Sequence, residues 1–155
     1  MHLNRKVDLS FVYWLRDLLD PSVKVVDSYP TDDSGVPLVE MTLPTVSVEQ
    51  SIFLEPFQLG GDLQTKFNIV IDVYAKTKTQ RDDIVYSITG HLAGYNVPVY
   101  DYDAGFPPDV NPTQIGAFVP IGDISVIHSR LIAEDNKVLH WRSIIDFQGY
   151  FTPKE

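Results

Sequence analysis

The two alternating apolar runs near the end of the chain constrain its fold most. "IGDISVIHSRLIA" and "KVLHWRSIIDFQGYF" flank the turn Glu134-Asp135-Asn136-Lys137. Strand side chains alternate between two faces, so a hairpin with one apolar face tolerates a single register. Pairing about Asp135-Asn136 sets Ile132 against Leu139, Arg130 against Trp141 and His128 against Ser143. It also sets Val126 against Ile145 and Ile124 against Phe147. A slip of one residue would turn that apolar set toward solvent.

Upstream, helices and strands mix. Phe11, Trp14, Leu15, Leu18 and Leu19 fall at i, i+3, i+4, i+7 and i+8, which predicts a helix with Asp8 as its cap and Pro21 as its stop. Residues 23–29 add a short strand, and "YPTDDSGVP" supplies loop residues. Strands follow over 44–54 and 65–75, the second with Phe67, Ile69, Ile71, Val73 and Ala75 on one face. They are expected to form an antiparallel hairpin with a long tip, 56–64, turned at Gly60-Gly61-Asp62.

A second helix is expected from Thr79-x-x-Asp82, a capping-box pattern, with Asp82 and Asp83 in its first turn. Its buried stripe is Ile84, Val85, Ile88 and Leu92. Gly90 weakens it and Gly94 ends it. After a strand at 97–100, the stretch 101–118 is rich in Pro, Gly and Asp and carries Tyr102, Phe106 and Phe118. A loop this long is uncommon in a compact domain unless it has a function. The fold class expected is α+β: a mixed, mostly antiparallel sheet with two helices packed on it, in a single domain spanning 1–155.

Charge narrows the partners. The 155 residues carry 12 Lys+Arg against 21 Asp+Glu, a net charge of −9. That disfavours nonspecific binding to nucleic-acid phosphates or an anionic membrane. The apolar run "FNIVIDVYA" is too short to span a bilayer, so no membrane partner is expected. The N-terminal apolar stretch contains Arg16 and Asp17 and lacks a small-residue cleavage site, unlike a signal peptide. With no cysteine there is no disulfide framework and no thiol nucleophile.

Catalytic patterns are absent. There is no HExxH, GxSxG, GxGxxG or GxxxxGK[ST]. Of His2, His91, His128 and His140, the last two point to opposite faces of the closing hairpin and cannot share a metal. Asp101-x-Asp103 offers hard oxygen ligands, but an EF-hand spacing fails at Gly105, Phe106 and Pro112. A metal-dependent hydrolase built on that pair is one alternative; a solvated turn beside an aromatic anchor is the other. Lys76, Lys78 and Arg81 form either a small anion contact or an ordinary solvated end. No catalytic, metal or cofactor residue is assigned, and no cofactor is expected. Contact material is better represented: Trp14, Tyr102, Phe106, Phe118, Phe57 and Leu59 are candidate interface residues. Core burial is the competing expectation for Trp14, Tyr102, Phe106 and Phe118.

The order of parts resembles a known family. A short helix and strands lead to "IVIDVYAKTKTQRDDIVYSITGHL", then "VPVYDYDAGFPP", "IGDIS" and the closing "SRLIAEDNKVLHWRSIIDF". Over residues 8–151 this resembles the tail-terminator, or tail-completion, proteins of the long-tailed bacteriophage neck. The resemblance implies a non-catalytic virion protein, assembled in the host cytoplasm into a hexameric ring. Its partners would be further copies of the chain, the tail tube protein and the head connector or stopper proteins. DNA would pass through the lumen without specific binding. A head–tail adaptor or stopper subunit is the nearest alternative, and a soluble acidic protein-binding module a more distant one.

Overall fold

A computed structural model describes residues 1–27, 44–59, 62–107, 109–129 and 141–154, with residues 50–59, 62–65 and 129 described by their backbone alone. The elements run α1 (Leu3–Leu18), β1 (Lys24–Val26), β2 (Thr45–Leu59), β3 (Asp62–Ala75), α2 (Lys78–Leu92), β4 (Val97–Asp101), β5 (Thr113–Ser129) and β6 (Trp141–Pro153). The six strands form one sheet in the order β1-β2-β3-β6-β5-β4. Only β1 pairs in parallel, with β2; every other pair is antiparallel. The α+β expectation holds.

Both helices pack against the same face of the sheet. Phe67, Ile69, Ile71 and Val73 of β3 alternate onto it, with Ile145 and Phe147 of β6 and Phe118 of β5. From α1 come Val7, Phe11 and Leu15; from α2 come Ile84, Val85, Ile88 and Leu92. At the centre, the Phe11 ring meets Phe118 at 5.0 Å and 78°, and Phe147 at 5.7 Å. The edge-to-face Phe11–Phe118 pair adds roughly 0.5–1.5 kcal/mol beyond burial. Phe118 fits because its diagonal neighbour on β6 is small: Gly149 pairs with Pro120, and a β-carbon on it would overlap the Phe118 ring and the Val119 carbonyl.

The closing hairpin keeps the expected register over its described part, with Val126 opposite Ile145 and His128 opposite Ser143. Ile124 does not meet Phe147, because a bulge between Ile121 and Ser125 shifts the ladder there. Gly122, at φ +71°, takes the left-handed conformation within the bulge. The pairs Ile132–Leu139 and Arg130–Trp141 involve residues 130–140, which lie outside the described residues, as do His140 and residues 28–43.

Four expectations are corrected. Helix α1 begins at Leu3 with His2 as its cap residue, and no side chain caps it. The apolar stripe continues upstream through Val7 and Leu3, so Asp8 lies more than a turn inside the helix. Helix α2 begins two residues early, where the Thr77 hydroxyl accepts from the Gln80 N–H at 3.1 Å and Gln80 Oε1 accepts from the Lys76 N–H at 2.9 Å. Asp82 and Asp83 therefore miss the first turn. The tip 56–64 is mostly ladder: Pro56 to Leu59 pair with Thr65 to Asp62. The stretch 101–118 shrinks to an irregular segment from Tyr102 to Pro112, since β5 starts at Thr113.

Two substitutions in glycine test this packing. Gly90 sits exposed in α2 with nothing within 4 Å of an added β-carbon, so Gly90→Ala is expected to stabilise the fold by about 0.4–1 kcal/mol in urea denaturation. Gly149→Ala drives a methyl group into Phe118 and is expected to cost about 1–3 kcal/mol by the same assay.

A third prediction concerns Asp8. Burial, then the charge of Asp27, pushes its carboxyl up to about 7 despite Arg5 nearby. Below about pH 4 the group is protonated in the folded and unfolded chain alike. As pH rises to about 7 the unfolded chain releases its proton first, so this group progressively destabilises the fold. Asp8→Asn is expected to raise the melting temperature at pH 8 and leave it near the parent's at pH 4.

Candidate functional site

The richest cluster of polar and aromatic groups lies where the segment after β4 crosses α1. Ser10 organises it: its hydroxyl donates to the Lys6 carbonyl at 2.7 Å, accepts from the Tyr100 N–H at 3.1 Å and meets the Tyr102 hydroxyl at 3.4 Å. The segment is held internally as well. Asp101 Oδ1 accepts from the Asp103 N–H at 2.9 Å, and the Gly105 N–H donates to the Tyr102 carbonyl at 3.0 Å. Gly105 is required at φ +131°, where a β-carbon would also press on Val110 at 2.8 Å.

Three rings stack on this frame. Tyr102 lies 5.6 Å from Phe106 and 5.5 Å from Tyr13, and the Arg16 guanidinium sits 5.5 Å from the Tyr13 ring centre. Tyr102 is the buried middle, 2% exposed, and burial raises its hydroxyl pKa. Phe106 is the outer leaf, 42% exposed. An ordered aromatic surface results, anchored on a helix rather than free to swing.

Asp101 and Asp103 do converge, but on an ammonium group. Lys6 Nζ lies 3.2 Å from each carboxylate, where a cation would otherwise sit. Hydrogen bonding, first to Asp103 and then to Asp101, raises the pKa of that lysine. Among the described residues no three His, Asp or Glu side chains gather as a metal site.

The other chemically suggestive groups are committed to packing. His128 Nδ1 lies 2.6 Å from Ser143 Oγ, but Ser143 is fully buried and out of reach of a substrate. Arg81, expected as part of an anion contact, is buried: it pairs with Asp82 at 3.1 Å and covers the Trp141 ring at 5.4 Å. Arg142 pairs with the buried Asp72 at 3.0 Å and lies over Tyr74, whose hydroxyl burial pushes up to about 12.

Among the candidate contact residues with described side chains, Tyr102 and Phe106 come together, and Phe106 is the exposed one of that pair. Trp14 is half-buried, edge-on to Phe11 at 5.9 Å. Phe118 is corrected: it belongs to a strand, not a loop, and is wholly buried in the core. The side chains of Phe57 and Leu59 lie outside the described residues. Among the described residues the most exposed large apolar groups are others: Tyr86 at 74% and Tyr95 at 70%, on and just after α2, and Ile127 at 56% on β5. Tyr86 could have been found from its place opposite the Ile84–Val85–Ile88 stripe.

Compared with known proteins, the chain matches no family model, and no curated protein is significantly similar to it.

The stack makes its own prediction. Tyr102→Ala removes the buried ring and is expected to cost about 3–5 kcal/mol in chemical denaturation. Phe106→Ala is expected to cost less, about 1 kcal/mol, because its ring is already 42% exposed.

Proposed function

We propose that this chain is a virion structural protein of the bacteriophage neck, a ring-forming subunit that ends the tail tube and joins it to the head connector. The observation that carries the proposal is the division of exposed apolar groups between separate surfaces. Tyr86 and Tyr95 stand on and beside α2, and Val126 and Ile127 on β5. Surfaces of that kind suit heterologous contacts, in which one patch meets a different patch of the next copy, and such contacts close into rings.

Two further features support it. The order of helix, strand pair, charged helix and closing hairpin is the order on which the family resemblance rests. The net charge of −9 suits a channel wall past which DNA slides, since phosphates are repelled rather than held. The convergent acidic pair is neutralised by Lys6, so nothing in that cluster calls for a catalytic role.

The experiment is microscopy of particles made without the protein. A terminator stops tube growth, so its loss is expected to give tails of uncontrolled length. Tails of normal length that fail to join filled heads would assign the stopper role instead. Absence of the protein from purified particles would refute the neck assignment altogether.

A further inference from the structure

β4 covers the outer edge of β5 only over Thr113–Phe118, and among the described residues nothing pairs with that edge from Val119 to Ser129. Ile127, 56% exposed, stands out on the sheet face away from the helices as a small apolar ridge, while Val126, 37% exposed, turns to the helix face with its partner Ile145; the exposed Asp123 lies at the bulge. No lysine or proline blunts residues 124–129, the usual protection of a bare edge.

The far side of the same sheet carries a complementary feature. A shallow groove beside β1 is lined by Pro21, Val23, Val25 and Val26, with Arg16 and Lys24 on its rim. The nearby acids are turned elsewhere: Asp20 accepts from the Ser22 N–H at 2.8 Å, and Asp27 pairs with Arg5 at 2.6 Å. One surface is thus an apolar ridge with an acid, the other an apolar groove with two bases.

Both features also stand level across the sheet. Val26 pairs with Ser47, Ser47 with Asp72, Asp72 with Ile144 and Ile144 with Ile127, an unbroken row from groove to ridge.

The geometry points to a second copy of this chain as the occupant: Ile127 of one copy seats in the β1 groove of the next, with Asp123 toward Lys24 and Arg16. Arg16 already donates to the Val25 carbonyl at 3.1 Å. The contact is therefore one of side chains rather than a shared strand ladder. It rests on the ring assignment for its closure, but the contact itself can be tested apart from any phage.

Sedimentation equilibrium of the full chain provides the test, with Ile127→Asp as a ridge variant and Lys24→Glu as a groove variant. Both positions are exposed, and unchanged melting temperatures will show that the variants fold. The parent is expected to self-associate at micromolar concentration. Ile127→Asp should weaken association roughly tenfold or more, and Lys24→Glu should weaken it by a smaller factor. An equal mixture of the two variants retains one intact ridge and one intact groove, so it should form a one-to-one pair and stop there. A monomeric parent, or association untouched by Ile127→Asp, overturns the contact. A mixture no more associated than either variant alone overturns it too. Particles lacking the protein would refute the neck assignment while leaving these sedimentation results standing.

Discussion

The seat of Phe118 is the constraint on which most of the structure depends. Its ring is wholly buried between Phe11 and Phe147, and it fits there only because Gly149 leaves the space on β6. Burying a phenylalanine contributes roughly 1.5–3 kcal/mol, and two edge-on aromatic contacts add to that. Three elements distant in sequence are tied by this one cluster: α1 through Phe11, β5 through Phe118 and β6 through Phe147.

The position of α1 then governs the aromatic surface. Its buried side supplies Val7, Phe11 and Leu15 to the core, while Ser10, Tyr13 and Lys6 meet the segment that follows β4. The Asp-rich, Pro-rich composition of that segment gives no hint of how firmly it is held. Lys6 neutralises its two acids, Ser10 binds the backbone of Tyr100, and Tyr13 and Phe106 stack on the buried Tyr102 ring. A cluster that resembles a cation site by its residues is a strut by its contacts.

Periodic patterns were the legible part of the sequence. The two-residue period sets Val126 against Ile145, and the helical period sets the Ile84–Val85–Ile88–Leu92 stripe; both stand as expected. Where punctuation competed with periodicity, punctuation misled. Asp8 has the chemistry of a cap, yet the stripe through Leu3 and Val7 carries the helix past it. Pro112 and Pro120 bracket Phe118 and suggest a loop. Pro120 is nonetheless accommodated in β5 opposite Gly149, on a strand that no described residue pairs with on its far edge there. Surface features were least legible, because exposure depends on where neighbouring strands stop. Ile127 is exposed because β4 ends its pairing at Phe118, and no local pattern encodes that.

Under the proposed contact, a ridge and a groove at opposite edges of one sheet join successive copies of this acidic domain. Negative-stain image averages of the purified protein at high concentration test that claim most directly. Closed rings of equivalent subunits, each touching two neighbours through unlike surfaces, are the predicted result. Two-fold dimers joined through like surfaces, or single particles alone, would contradict it.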